Sequence, residues 1–199
     1  MHSQNYDLAF KEALTLFENK ILDFLGLDLP RITEVLVTEF AEVETRDEFV
    51  DLTFRLENGE ILHIEEQATL TEDDLIRFAH YDLRIFSKYR VSIHTVVLSP
   101  ANSKNHVSVI DTGCLHYSVT HQVIKGRNGD EVLERMHDDI AIGNPVNELE
   151  LIFVPLMESR LPVRDLLLET IKREKEIRDE NLKNKVIALT MVMANRLVE

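Results

Sequence analysis

The chain has 199 residues, of which 44% are hydrophobic and 29% charged, a balance that excludes wholesale disorder and suits one good core with an appendage. Its formal net charge of −14 weighs against a nucleic-acid partner unless a locally basic face or bridging cations offset it. A single cysteine, Cys114, excludes an intrachain disulfide and suits a reducing cytosol.

The opening stretch MHSQNYDLAFKEAL lacks a basic segment followed by an apolar one, so no secretory leader is expected. No apolar run approaches the roughly 20 residues that span a bilayer. Together these features point to a soluble, cytoplasmic protein without a membrane partner.

The spacing of Phe10, Leu14, Phe17, Ile21 and Phe24 predicts one amphipathic helix over 8–25, with Asp7 as its N-cap and Gly26 as its stop. The stretch 32–43, with Val35 and Val37, reads as extended, though its phase is irregular. A pair of apolar-alternating runs then flanks Glu57-Asn58-Gly59 and predicts a hairpin. Thr71-Glu72-Asp73-Asp74 reads as a capped start, with acids suited to the helix dipole, for a helix running to about Tyr89.

A buried strand is expected over 91–98, stopped by Pro100, and further strands over 107–110 and 115–124. Gly126-Arg127-Asn128-Gly129 reads as a turn, 130–137 as a short helix and 139–147 as a loop. From Pro162 onward the chain reads as helical: one helix over 164–175, then another marked by Leu182, Val186, Leu189 and Met193. That stripe suits a core or a dimer contact better than a cofactor site. The order of elements predicts a mixed α/β domain over 1–150 and a helical C-terminal extension over 151–199. No nucleotide-binding glycine motif is present.

The hairpin carries the chemistry. A two-residue turn at Asn58-Gly59 would set Asp51 opposite Glu66 and mix polar with apolar groups on both faces. A three-residue loop, with Gly59 at positive φ, sets Asp51 opposite Glu65, Thr53 opposite His63 and Arg55 opposite Ile61. Leu52, Phe54 and Leu56 then meet Leu62 and Ile64 on the other face. A one-residue slip inverts every side chain, so the better-sorted register is expected. It gathers Asp51, Glu65 and Gln67 on one face, with His63 behind them. Close carboxylates repel unless a cation or proton intervenes, and hard oxygens suit Mg²⁺ or Mn²⁺.

Asp51 followed by Glu65-x-Gln67, within His63-Ile64-Glu65-Glu66-Gln67, resembles the PD-(D/E)XK nuclease superfamily. More narrowly it is similar to the Rpn/YhgA-like branch of recombination-promoting nucleases, which are also labelled transposases. The resemblance spans 6–100 and includes the Asp7…Lys11 opening and the Arg77…Tyr81 helix. It implies a restriction-endonuclease-like α/β fold, with a mixed central sheet flanked by helices. It also implies a metal-dependent DNA endonuclease linked to recombination or mobile elements. Asp51 and Glu65 would hold Mg²⁺ or Mn²⁺, with the backbone carbonyl of Glu66 as a third ligand, and Asp51, Glu65 and Gln67 would form the catalytic set. Gln67 stands where the superfamily has lysine. It can orient a water but adds no positive charge, so activation would rest more on the metal.

Arg77, Tyr81, Arg84 and Lys88 recur at helical spacing and would supply the local basicity that DNA requires; Lys11 would be a further phosphate contact. Glu12 or Glu18 of the first helix is a weaker candidate for the metal shell. His63 reads as a satisfied strand histidine rather than a ligand. His116 and His121, read as lying on one strand five residues apart, would point to opposite faces, which argues against a shared metal. Cys114 reads as structural. Cutting both strands of a duplex suits a homodimer. The rival expectation is a catalytically inactive nuclease fold that serves as a protein-interaction module.

Overall fold

The computed structural model describes residues 2–36, 52–100 and 107–195. In chain order the elements are α1 (His2–Leu16), α2 (Ile21–Leu25), β1 (Ile32–Leu36), β2 (Leu52–Leu56), β3 (Ile61–Glu66) and α3 (Glu72–Tyr89). Then come β4 (Ile93–Ser99), β5 (Val109–Asp111), β6 (His116–Ser118), β7 (Thr120–Val123), α4 (Gly129–Ile142), α5 (Glu148–Phe153), α6 (Val163–Glu174) and α7 (Glu180–Asn195). This is a mixed α/β topology that closes on C-terminal helices. No helix among the described residues is long and apolar enough to cross a membrane.

Two compact units divide the chain: Asp28–Val123, and Met1–Leu27 with Ile124–Glu199. Residues 124–150 therefore group with the C-terminal helices rather than with the sheet.

The continuous unit is built on a five-stranded sheet in the order β1-β2-β3-β4-β7, beside a β5-β6 hairpin. β2 and β3 pair antiparallel with Leu52 opposite Ile64, Thr53 opposite His63, Phe54 opposite Leu62 and Arg55 opposite Ile61. That is the register of the three-residue loop. The Leu56 amide donates to the Glu60 carbonyl at 2.8 Å, and Gly59 takes φ +87°, a conformation that suits a residue without Cβ. Asn58 supports the loop by accepting from the Glu60 amide. The irregular phase of β1 is a bulge between Ile32 and Glu34 where it pairs with β2.

From β3 the chain crosses through α3 to β4, which pairs parallel with β3. α3 starts on a complete capping box between Thr71 and Asp74 and stops at Arg90, whose φ is +56°. Ile61, Leu70, Leu75, Phe78, Tyr81, Ile85, Val97 and Ile110 form the core between helix and sheet. Each such buried side chain contributes roughly 1.5–3 kcal/mol.

The expected strand over 115–124 is two strands with different partners. β6 pairs antiparallel with β5, whereas β7 joins the main sheet parallel to β4. His116 and His121 thus lie in different sheets. Continuous strand propensity does not reveal such a change of partner. Cys114, expected as structural, is exposed in the β5-β6 turn.

In the other unit, Phe10, Leu14, Phe17, Ile21 and Phe24 are all buried, as their spacing predicts. The single helix expected there is instead two, separated by a 3₁₀ turn at Glu18–Lys20, and Asp7 lies inside α1 rather than at its cap. The break is fixed from across the unit. The Lys20 ammonium binds the Glu148 carboxylate and the Val146 carbonyl, and the Asn147 amide donates to the Lys20 carbonyl at 3.0 Å. Phe153 packs against Phe24 at 5.1 Å and Phe10 at 5.9 Å between ring centres. α4 runs on to Ile142, so it absorbs the start of the expected loop over 139–147. α5 is an additional helix, capped by Asn147.

Glu174 is fully buried in this unit. The Thr190 hydroxyl donates to its Oε1, while its Oε2 is buried without a hydrogen-bond partner. Burial pushes its carboxyl up from the ordinary 4.5 to about 7, against the lowering effect of Thr190. The folded chain therefore keeps a proton that the unfolded chain releases at lower pH. Glu174 contributes stability that is full below the ordinary 4.5 and is lost as pH rises through about 7. The loss should be on the order of 3 kcal/mol. Glu174→Gln should flatten that fall and be the more stable chain at about pH 8, as urea unfolding at about pH 5 and about pH 8 would reveal.

Candidate functional site

The site grows from the side of the sheet that faces α3. Alternation along β3 sends Ile61, His63 and Glu65 to that side, where they meet the buried arc of the helix. Ile61 joins the apolar core. His63 and Glu65 continue the row as polar groups, 0% and 4% exposed.

Leu75, Phe78, Asp82 and Ile85 are buried members of one helical face, so the fold carries an acid into this core. The His63 ring sits between two carboxylates: Nδ1–H donates to Asp82 Oδ1 at 2.7 Å and Nε2–H to Glu65 Oε1 at 2.8 Å. Burial disfavours the charged ring. The hydrogen bonds and charges of Asp82 and Glu65 outweigh it and raise the His63 pKa from 6.5 to about 9. At neutral pH the ring is an imidazolium, and both of its nitrogens donate.

Asp82 is held on its other oxygen. Thr95 Oγ1 donates to Oδ2 at 2.5 Å and the Tyr117 hydroxyl at 2.7 Å. Burial, with the charge of Asp82 beside it, pushes the Tyr117 hydroxyl's pKa upward. Four elements thus meet at one row: β3 through His63 and Glu65, α3 through Asp82, β4 through Thr95 and β6 through Tyr117. A cleft of about 290 Å³ between α3 and the β5-β6 hairpin reaches Asp82, Thr95 and Tyr117.

Gln67 follows β3. Its amide hydrogen donates to the Leu98 carbonyl at 2.9 Å, and its carbonyl accepts from the Ser99 hydroxyl at 2.6 Å. Ser99 in turn accepts from His121 Nε2 at 2.8 Å. The Gln67 side chain turns to the first turn of α3. It donates to Asp74 Oδ1 at 3.2 Å, and its Oε1 has a long 3.5 Å contact from Arg77. Arg77 also pairs with Asp74 at 3.2 Å.

The expected site residues divide as follows. Glu65 and His63 meet directly, and Gln67 lies beyond them at the start of α3. Glu66 is half-buried at the end of β3, paired in register with Leu98. Asp51 lies outside the described residues; the described pairing ends one step short of it, at Leu52 and Ile64. Of the basic stripe, Arg77 and Lys88 are exposed and Arg84 is half-buried. Tyr81 departs from the stripe: it is 4% exposed and packs in the core, because the stripe borders the buried arc and Tyr81 falls on its inner side. Lys11, Glu12 and Glu18 belong to the other unit.

Among the described residues no group of three or more His, Cys, Asp or Glu side chains is arranged to hold a metal. Glu65 offers the hard carboxylate oxygens that Mg²⁺ or Mn²⁺ prefer, so its donor chemistry fits the implied ion. Comparison with protein-family models, curated proteins and solved structures finds no match for this chain.

Asp82, Thr95 and Tyr117 were not among the sequence candidates. Asp82 alone had a usable signal, as an acid in the apolar phase of its helix. Removing the cation from this row leaves Glu65 and Asp82 buried without their shared partner. His63→Ala should therefore cost about 3–5 kcal/mol in urea unfolding. A loss below about 1 kcal/mol would show that the row carries little of the fold's stability.

Proposed function

We propose that the chain is a metal-dependent endonuclease of the PD-(D/E)XK kind, similar to the Rpn/YhgA-like recombination nucleases, that hydrolyses phosphodiester bonds in DNA. The hairpin register carries the reading. Thr53 stands opposite His63, and Leu52 opposite Ile64, with Glu65 buried one residue further along β3. The sequence pattern that predicts this register would set Asp51 opposite Glu65.

In this reading Asp51 and Glu65 hold Mg²⁺ or Mn²⁺ with the Glu66 carbonyl. Such an ion, when bound, acidifies water and offsets charge on the scissile phosphate. Gln67, tethered by Asp74 and Arg77, orients the attacking water. Arg77, Arg84 and Lys88 offer a basic edge to the phosphates. A homodimer would place two such sites on a duplex. The net charge of −14 favours one other reading, a nuclease fold that binds protein without catalysis. That rival needs no metal affinity dependent on Asp51, so calorimetric titration with Mn²⁺ separates the two.

Asp51→Ala and Glu65→Ala should each abolish Mg²⁺-dependent nicking of plasmid DNA while the purified chain stays folded. Full activity in either variant overturns the proposal. Arg77→Ala should weaken DNA binding most at low salt and make the slope of log affinity against log salt shallower by about one phosphate contact. An unchanged slope in a fluorescence-anisotropy titration removes Arg77 from the interface.

A further inference from the structure

We infer that His63 and Asp82 are positioning residues for Glu65: Asp82 orients the His63 ring, and the ring fixes the Glu65 carboxylate for a divalent cation. This rests on the proposed nuclease reading and deepens it, because the resemblance assigns neither residue a role. Three observations carry it.

The first is directional. Each ring nitrogen of His63 is committed to a different carboxylate, at 2.7 and 2.8 Å, so the ring cannot rotate without breaking both bonds. The second is the depth of support. Asp82 accepts from His63, Thr95 and Tyr117, which come from three different strands, so its own rotamer is fixed. The third is the chemistry chosen. A well-packed apolar trio at the same positions would often be neutral or more stable than a buried ionic row. Packing alone therefore gives no reason for these charges. A carboxylate that must present oxygen to a cation in one orientation does, since such ligands are themselves held by outer hydrogen bonds.

The test is Mn²⁺ calorimetry on the full chain, with urea unfolding as a check on folding. Asp82→Asn keeps the shape of the side chain but changes what it offers His63. It should weaken Mn²⁺ binding about 10–100-fold, and the Mn²⁺ concentration that half-saturates plasmid nicking should rise in parallel. His63→Gln, which retains an N–H donor, should keep more affinity than His63→Ala. If Asp82→Asn does not fold, Tyr117→Phe carries the test: it removes one hydroxyl from Asp82 and should weaken Mn²⁺ several-fold.

A folded variant that binds Mn²⁺ as tightly as the wild type overturns the positioning role and leaves the nuclease reading standing. A wild-type chain that binds no Mn²⁺ overturns the nuclease reading, and the positioning role with it.

Discussion

The buried imidazolium of His63 ties the central strand to the helix that covers it. β3 is the strand at which the sheet changes from antiparallel to parallel pairing, and α3 is the crossover that makes the parallel step possible. Apolar packing alone would hold the two together but would tolerate small slides of the helix along the sheet. Charged hydrogen bonds are directional and lose strength when stretched. The bond from His63 to Asp82 therefore fixes the axial position of α3, while the bond to Glu65 holds the ring in place along β3. Thr95 and Tyr117 extend the same constraint to β4 and the small hairpin.

The first turn of α3 is set by related means at its other end. Asp74 closes the capping box with Thr71, binds the Gln67 amide and pairs with Arg77. One carboxylate thus starts the helix and holds Gln67. A neutral amide there brings no charge of its own, but Arg77 lies within reach of it. Positive charge is therefore present beside the amide, on a side chain that also faces solvent.

Much of the sheet was legible in the sequence because alternation is a strict rule. The sorting of Leu52, Phe54, Leu62 and Ile64 to one side admitted only one loop length, and the observed pairing is that one. The capping signal of Thr71 and the end of α3 near Tyr89 were equally plain. Local pattern failed where the deciding contact is distant in sequence. Nothing near Phe17 announces the break before α2, because its fixing partners are Val146, Asn147 and Glu148. Tyr117 reads as an ordinary strand tyrosine until the fold brings it to Asp82. Tyr81 joined a basic stripe by spacing, yet a few tens of degrees around the helix put it in the core. The histidine was rightly read as satisfied, but its partners depend on which helix face meets which strand.

The second unit is assembled from both ends of the chain, with the sheet unit as the stretch between Leu27 and Ile124. That arrangement sets an order of events. The sheet unit is continuous and can close on itself as soon as Val123 has been synthesised. α1 packs against α5 and α7, so it must wait with Phe10 and Leu14 uncovered until those helices exist. Contacts so distant in sequence form late because the loop-closure cost comes before any gain. A helix made before its partners is thus buried only after they exist, and during that interval its apolar face is open to aggregation.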